Sequence, residues 1–268
     1  MSAADLLTMA YRLSPSLFAE SLNPNIKLDG WQKALLESEA KEHLVCCSRQ
    51  AGKSLSAALA ALHLAIFQED SLILVVARAE RQAKELVRTA TWLCAGYADA
   101  DIRSSAATGL EFDNGSRILA LPGSESTIRC FSAVDAIILD EAARISPDVY
   151  VTVTPMLATS NGRLIALSTP HGTSGWFYEA WTEGTGWTRT KVTCWQVPRL
   201  KRDYLERERQ RMGAVKFSEE YECEFLSVST GLFNAVEVDA AFQDVPPSEV
   251  LEGKWRAVDN VPARVAGA

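Results

Sequence analysis

Four short runs, His43–Cys47, Ser71–Ala77, Ala136–Leu139 and Arg163–Leu167, are almost wholly apolar and recur with amphipathic stretches between them. Runs this short and this apolar suit strands buried on both faces. Between them, Leu55, Leu59, Leu62 and Ile66 repeat at helical spacing across residues 53–67, and residues 79–95 form a charged amphipathic helix carrying Leu86, Trp92 and Leu93. Helices are also expected over Trp31–Ala40 and over 147–158, where Pro147 fits a first turn. Leu110–Leu121 reads as a hairpin about Asn114-Gly115. This alternation predicts an α/β fold with a mostly parallel sheet covered by helices on both faces. It puts ligand chemistry at the carboxyl ends of the strands.

Composition narrows the class. Apolar residues make up 47% and charged residues 23% of 268, which excludes a disordered tail, a collagen-like chain and a coiled coil. No stretch approaches the roughly 18 uninterrupted apolar residues of a membrane span, and the N-terminus lacks the order of a secretory signal, so a cytoplasmic protein without membrane contact is expected. Six cysteines are too dilute for a disulfide scaffold and are read as reduced. The net charge of -7 argues against a surface that grips nucleic acid all over. Residues 189–216 break the balance, with nine basic side chains against three acidic ones. Either a solvated, internally paired helix or a polyanion contact accounts for them.

Four regions are expected: an N-terminal arm over 1–30, loosely structured about Ser14-Pro15 and Asn23-Pro24; a core over 31–186; a lid or accessory subdomain over 187–230; and a linker or tail over 231–268. The accessory part is read as one strand, Trp187–Thr193, and helices over 201–212 and 214–226.

Ser48-Arg49-Gln50-Ala51-Gly52-Lys53-Ser54 follows a buried strand and opens a helix, the setting of a phosphate-binding loop. Backbone N–H groups there cradle phosphates, Lys53 reaches the terminal ones, and the Ser54 hydroxyl can ligate Mg2+. The match is incomplete, because Cys47 stands where the P-loop pattern has its first glycine. Ile137-Ile138-Leu139-Asp140-Glu141 ends an apolar strand in two carboxylates at the same sheet edge. Asp140 suits the metal's water shell and Glu141 can deprotonate an attacking water, though an adjacent pair also suits a helix N-terminus. Ser168-Thr169 closes another core strand, as a phosphate sensor or a turn cap. Gln32 stands before the first core strand, as an adenine contact or a surface glutamine.

The order of these motifs resembles the ATPase motor of the large terminase subunit of tailed bacteriophages and prophages. Trp31-Gln32, SRQAGKS, the segment Asn114–Arg129, ILDEAARI and LIALSTPHGTSGWFYEAW carry the likeness, which runs from about Asp29 to Leu226. It implies a P-loop NTPase with a small lid subdomain, binding ATP and Mg2+, that assembles as a ring on the portal protein in the host cytoplasm. The ring, working with the small terminase subunit, would drive double-stranded DNA into a procapsid. By the same resemblance Gln32 is the adenine-binding glutamine, Arg49 the loop arginine, Lys53 and Ser54 the phosphate and magnesium contacts, and Asp140 with Glu141 the metal and base pair. Thr169 falls in the coupling motif. Arg129 is either an arginine finger reaching a neighbouring subunit's nucleotide or a structural arginine. The family normally continues into an RNase H-like nuclease domain. Only Trp255–Asp259 resembles its first strand, so no DNA cutting is expected from this chain. A helicase-like or repair ATPase, and a nucleotide-gated assembly module with little turnover of its own, fit the same residues.

Overall fold

A computed structural model describes residues 2–123, 128 and 131–227. Its strands are β1 Glu42–Cys47, β2 Leu72–Ala77, β3 Ile102–Ala106, β4 Gly109–Phe112, β5 Arg117–Pro122, β6 Ala136–Asp140, β7 Arg163–Ser168 and β8 Thr188–Val192. Its helices are α1 Ala3–Leu13, α2 Pro15–Leu22, α3 Gly30–Leu36, α4 Lys53–Phe67, α5 Glu80–Cys94, α6 Pro147–Val153, α7 Trp176–Thr182, α8 Arg202–Met212 and α9 Ala214–Glu222. The strands form one sheet in the order β3-β4-β5-β2-β6-β7-β1-β8. From β5 to β8 every pairing is parallel, and only β3 with β4 and β4 with β5 run antiparallel.

The apolar runs become strands because side chains of successive residues point to opposite faces, and here both faces are covered. Val45 and Cys47 of β1, with Ile73 and Val75 of β2, pack toward α4 and α5. Leu44 and Cys46, with Leu74 and Val76, pack the other way, toward Val149 and Val153 of α6 and Trp176 and Phe177 of α7. All six residues of β2 and all five of β6 are buried.

Several expectations change. The first thirty residues are not a loose arm: they hold α1 and α2, and Ser14-Pro15 is a helix start. Ser14 Oγ accepts from Leu17 N at 3.3 Å, and Pro15 takes the first turn, where its missing N–H is harmless. Phe18 and Ala19 then reach the core at 0% exposure. α3 stops at Leu36 rather than Ala40, and the Glu37 carboxylate accepts instead from Ser14 Oγ and Ser16 N, each at 2.9 Å. The helix expected over 147–158 is α6 followed by a 3-10 turn over Thr154–Leu157, because Pro155 cannot continue the ladder. The strand expected to open an accessory subdomain is β8, which pairs with β1 at the edge of the main sheet. The hairpin about Asn114-Gly115 forms as β4 and β5, and Gly115 takes the left-handed φ of +84° its turn requires. Arg129, Trp255–Asp259 and the tail over 231–268 lie outside the described residues.

His43, on β1, is 2% exposed, and its Nε2 meets Thr190 Oγ1 of β8 at 2.9 Å. Burial, and then the nearby Arg163 charge, push its pKa down to about 4. The unfolded chain therefore takes up this proton first, at the ordinary value of about 6.5. The contribution to stability is complete above that pH, is lost as pH falls from about 6.5 toward 4, and then levels off. Between pH 7.5 and 5, wild type should lose on the order of 1 kcal/mol more stability than His43→Gln, allowing for solvent screening. Parallel denaturation curves for the two proteins at both pH values would refute this.

Candidate active site

Three neighbouring strand ends converge. β1 runs into residues 48–52, β6 ends at Asp140, and β7, lying between them in the sheet, ends at Ser168 and leads to Thr169. The loop after β1 turns back on itself through two left-handed residues, Gln50 at φ 60° and Gly52 at φ +97°. Glycine suits position 52 because a side chain at this left-handed φ would be strained, and a Cβ there would also press on Gln32 Nε2 at 2.9 Å. The loop's first amides are held in place: Ser48 N donates to Val192 O at 2.8 Å and Arg49 N to Glu220 O at 2.9 Å. α4 then starts at Lys53, so its N-terminal N–H groups and positive dipole end face the sheet's carboxyl edge.

Lys53 is 8% exposed and donates to the loop's own carbonyls, Ser48 O at 3.1 Å and Cys47 O at 3.4 Å. Ser54 Oγ lies 3.4 Å from Asp140 Oδ2, which joins the loop to the carboxylate strand. Asp140 is 6% exposed, and its other oxygen, Oδ1, accepts from Glu141 N at 3.1 Å. Burial first, and the adjacent Glu141 charge second, push the Asp140 carboxyl up to about 6, while Lys53 pulls the other way. A buried carboxylate this poorly compensated is suited to a cation. With the Ser54 hydroxyl it offers two hard oxygens. No cluster of three or more His, Cys, Asp or Glu arranged for a metal occurs among the described residues. Few protein oxygens, with phosphates and water completing the shell, is the pattern that fits Mg2+.

Glu141 sits at φ 54°, a left-handed conformation rare for a side chain of its size. Arg144, one turn on, holds it: Arg144 Nη1 donates to Glu141 Oε2 at 3.1 Å and to Thr169 Oγ1 at 3.0 Å. Arg144 Nη2 reaches Glu220 Oε1 of α9 at 3.4 Å, and the same carboxylate forms an ion pair with Arg49, Nε lying 3.3 Å from Oε2. Ser168 Oγ, beside Thr169, is buried with no hydrogen-bond partner among the described residues.

Gln32 is in place beside the loop, with its amide engaged. Nε2 donates to Ser56 Oγ at 2.9 Å and Gly52 O at 3.4 Å, while Oε1 accepts from Asp29 N at 2.9 Å. Arg199 completes the brace, donating to Ala51 O and to Asp29 Oδ1, each at 2.9 Å. The structure thus brings together Gln32, Ser48, Arg49, Gln50, Ala51, Gly52, Lys53, Ser54, Asp140, Glu141 and Thr169. Arg144, Glu220 and Arg199 join them without having been expected. Only Arg144 carried a local signal, as a cation one turn past the Asp140-Glu141 pair. A groove of about 720 Å³ between α5 and the edge strand β3, lined by Arg81, Lys84 and Trp92 among others, contains none of these residues.

The basic segment is thinner in space than in sequence. Arg189 donates to Ala180 O, Lys191 pairs with Glu224, Arg199 with Asp29, Arg211 with Glu208 and Lys216 with Glu219. α8 buries only Leu205 and leaves Arg202, Arg207, Arg209 and Arg211 exposed. No helix among the described residues is long and apolar enough to cross a membrane.

Comparison with known proteins shows the family and the fold. Residues 44–239 match the family described as terminase large subunit, T4likevirus-type, N-terminal. The terminase large subunits of Thermus phage G20c and Thermus virus P23-45 are each 27% identical over 246 residues, covering 77% of this chain. The chain spans about half the length of these curated relatives (50%). Among solved structures, the large terminase ATPase domain of Thermus phage P74-26 superposes with a TM-score of 0.68 at 23% identity, covering 80% of this chain and all of that one (100%). The large terminase of a thermophilic bacteriophage, solved in complex with ADP, gives 0.64 at 12% identity, covering 74% of this chain and 54% of that one.

Proposed function

Because the chain belongs to the terminase large-subunit family, we propose that it is the ATP-hydrolysing motor domain of a DNA-packaging terminase, driving double-stranded DNA into a procapsid. One observation carries the proposal: the phosphate loop and the carboxylate strand meet through Ser54 and Asp140, with Glu141 beside them. That is the arrangement phosphoryl transfer to water needs, since catalysis there is mostly positioning and charge compensation.

In this reading the loop amides and Lys53 bind the phosphates, and Glu141 takes the proton of the attacking water. Mg2+ on Ser54 and Asp140 would supply compensation for charge on the leaving phosphates. Gln32 turns to the adenine by exchanging its contact with Ser56 or Gly52. Arg49 and Thr169 report on the phosphates, and Arg129 is assigned on resemblance alone to the nucleotide of a neighbouring subunit. The partners are DNA, the portal protein, the small terminase subunit and further copies of this chain in a ring.

The test is ATP hydrolysis with Mg2+, with and without double-stranded DNA. The proposal expects turnover that DNA stimulates and that EDTA abolishes. Turnover absent under both conditions would sink it. The exposed arginines of α8 are the DNA contact in this reading, made mainly to phosphates and so falling steeply with salt. Arg207→Glu with Arg211→Glu should weaken DNA binding and flatten its salt dependence while leaving DNA-independent hydrolysis intact. Unchanged affinity and slope would return α8 to a solvated surface.

A further inference from the structure

We propose that Arg144 is the positioning residue of the hydrolytic site, a guanidinium that fixes the direction of the Glu141 carboxylate and ties it to β7 and α9; this rests on the hydrolytic reading above. Glu141 needs such a holder. Its backbone is left-handed at φ 54°, it follows the last residue of β6 directly, and 26% of its side chain is open to solvent, so its own packing leaves the carboxylate room to swing.

Arg144 removes that freedom on one side only. Its Nη1 engages Oε2 at 3.1 Å, while Oε1 accepts no hydrogen bond from any described residue. Among the described residues one oxygen is anchored and the other is left open to receive a proton from water. The same Nη1 donates to Thr169 Oγ1 at 3.0 Å, so the carboxylate is registered against the end of β7. Arg144 is itself held from behind. Its Nη2 reaches Glu220 Oε1 at 3.4 Å, and Glu220 is 5% exposed and packed in α9. Because Glu220 Oε2 also forms an ion pair with Arg49 Nε, one buried carboxylate links the guanidinium to the arginine of the phosphate loop. A planar guanidinium can serve three acceptors at set angles. An ammonium in its place keeps the charge but not the geometry.

The experiment compares Arg144→Ala, Arg144→Lys and Glu220→Gln with wild type in steady-state ATP hydrolysis. Equilibrium binding of a fluorescent ATP analogue and thermal melting are followed in the same preparations. A misdirected base costs on the order of 10²-fold in rate, so Arg144→Ala should lower kcat by about that factor while analogue affinity stays within about twofold. Arg144→Lys should recover part of the loss. Glu220→Gln, which loosens the guanidinium without removing it, should give a smaller fall in kcat. Wild-type kcat in Arg144→Ala would overturn the proposal. So would parallel losses of affinity, kcat and melting temperature in all three variants, which is what a merely structural ion pair predicts. Absence of turnover in wild type itself would instead reject the hydrolytic reading, and this role with it.

Discussion

Glu141→Gln is expected to lower ATP hydrolysis by ~10²–10⁴-fold, the range supplied by a positioned general base, while nucleotide binding stays near the wild-type level. The amide is close in shape to the carboxylate and keeps an oxygen for Arg144 Nη1, so the hydrogen bonds to Arg144 and onward to Thr169 can persist. What disappears is the ability to hold a proton taken from water. Single-turnover measurements with radiolabelled ATP separate the two quantities. A variant that binds ATP and hydrolyses it at the wild-type rate would remove Glu141 from the chemistry.

Lys53→Ala should act at an earlier step. Charge-assisted hydrogen bonds are worth about 1.5–3 kcal/mol, so losing the ammonium at the terminal phosphates should weaken ATP binding by ~10- to 10²-fold, with turnover falling too. The effect should shrink for a nucleoside monophosphate, which carries no terminal phosphates for Lys53 to reach. The ammonium presently donates to Ser48 O and Cys47 O, so the variant should also lose a modest amount of stability, about 1 kcal/mol. Titration of wild type and variant with ATP and with the monophosphate, alongside melting curves, checks both parts. Equal loss for the two nucleotides would point to a collapsed loop instead of a missing charge.

Much of this framework was legible because its signals are local. β1, α4, β2, α5, the Asn114-Gly115 hairpin, β6 and β7 each carry an apolar run, a helical period or a turn pair. The strand-end rule then locates Lys53, Ser54, Asp140 and Glu141 at one edge of the sheet. β3 escaped because Ile-Arg-Ser-Ser-Ala has one large apolar residue and no alternation. It is a strand only because β4 pairs with it. α1 and α2 escaped because Ser-Pro at residues 14 and 15 is equally a turn signal and a helix start, and only the burial of Phe18 decides between them. Glu220 and Arg199 could not have been found by pattern. Each meets the site across a large stretch of sequence, and their meaning lies in what α9 and the segment before α8 are folded against.

The place of β7 between β1 and β6 also bears on how the domain is made. Among the described residues β1 is the first strand, and its two neighbours in the sheet, β7 and β8, are the last two. During synthesis β2, β5 and β6 can already form ladders, while the strand that carries the phosphate loop still waits with both of its edges open. Parallel pairings of such high sequence separation form slowly, and unpaired apolar edges invite association with other chains. Leu44, Val45, Cys46 and Cys47, all at 0% exposure once folded, are thus the residues most in need of shelter on the ribosome. A chain interrupted anywhere between α4 and β7 would hold every residue of the phosphate loop and still lack the strands that shape it.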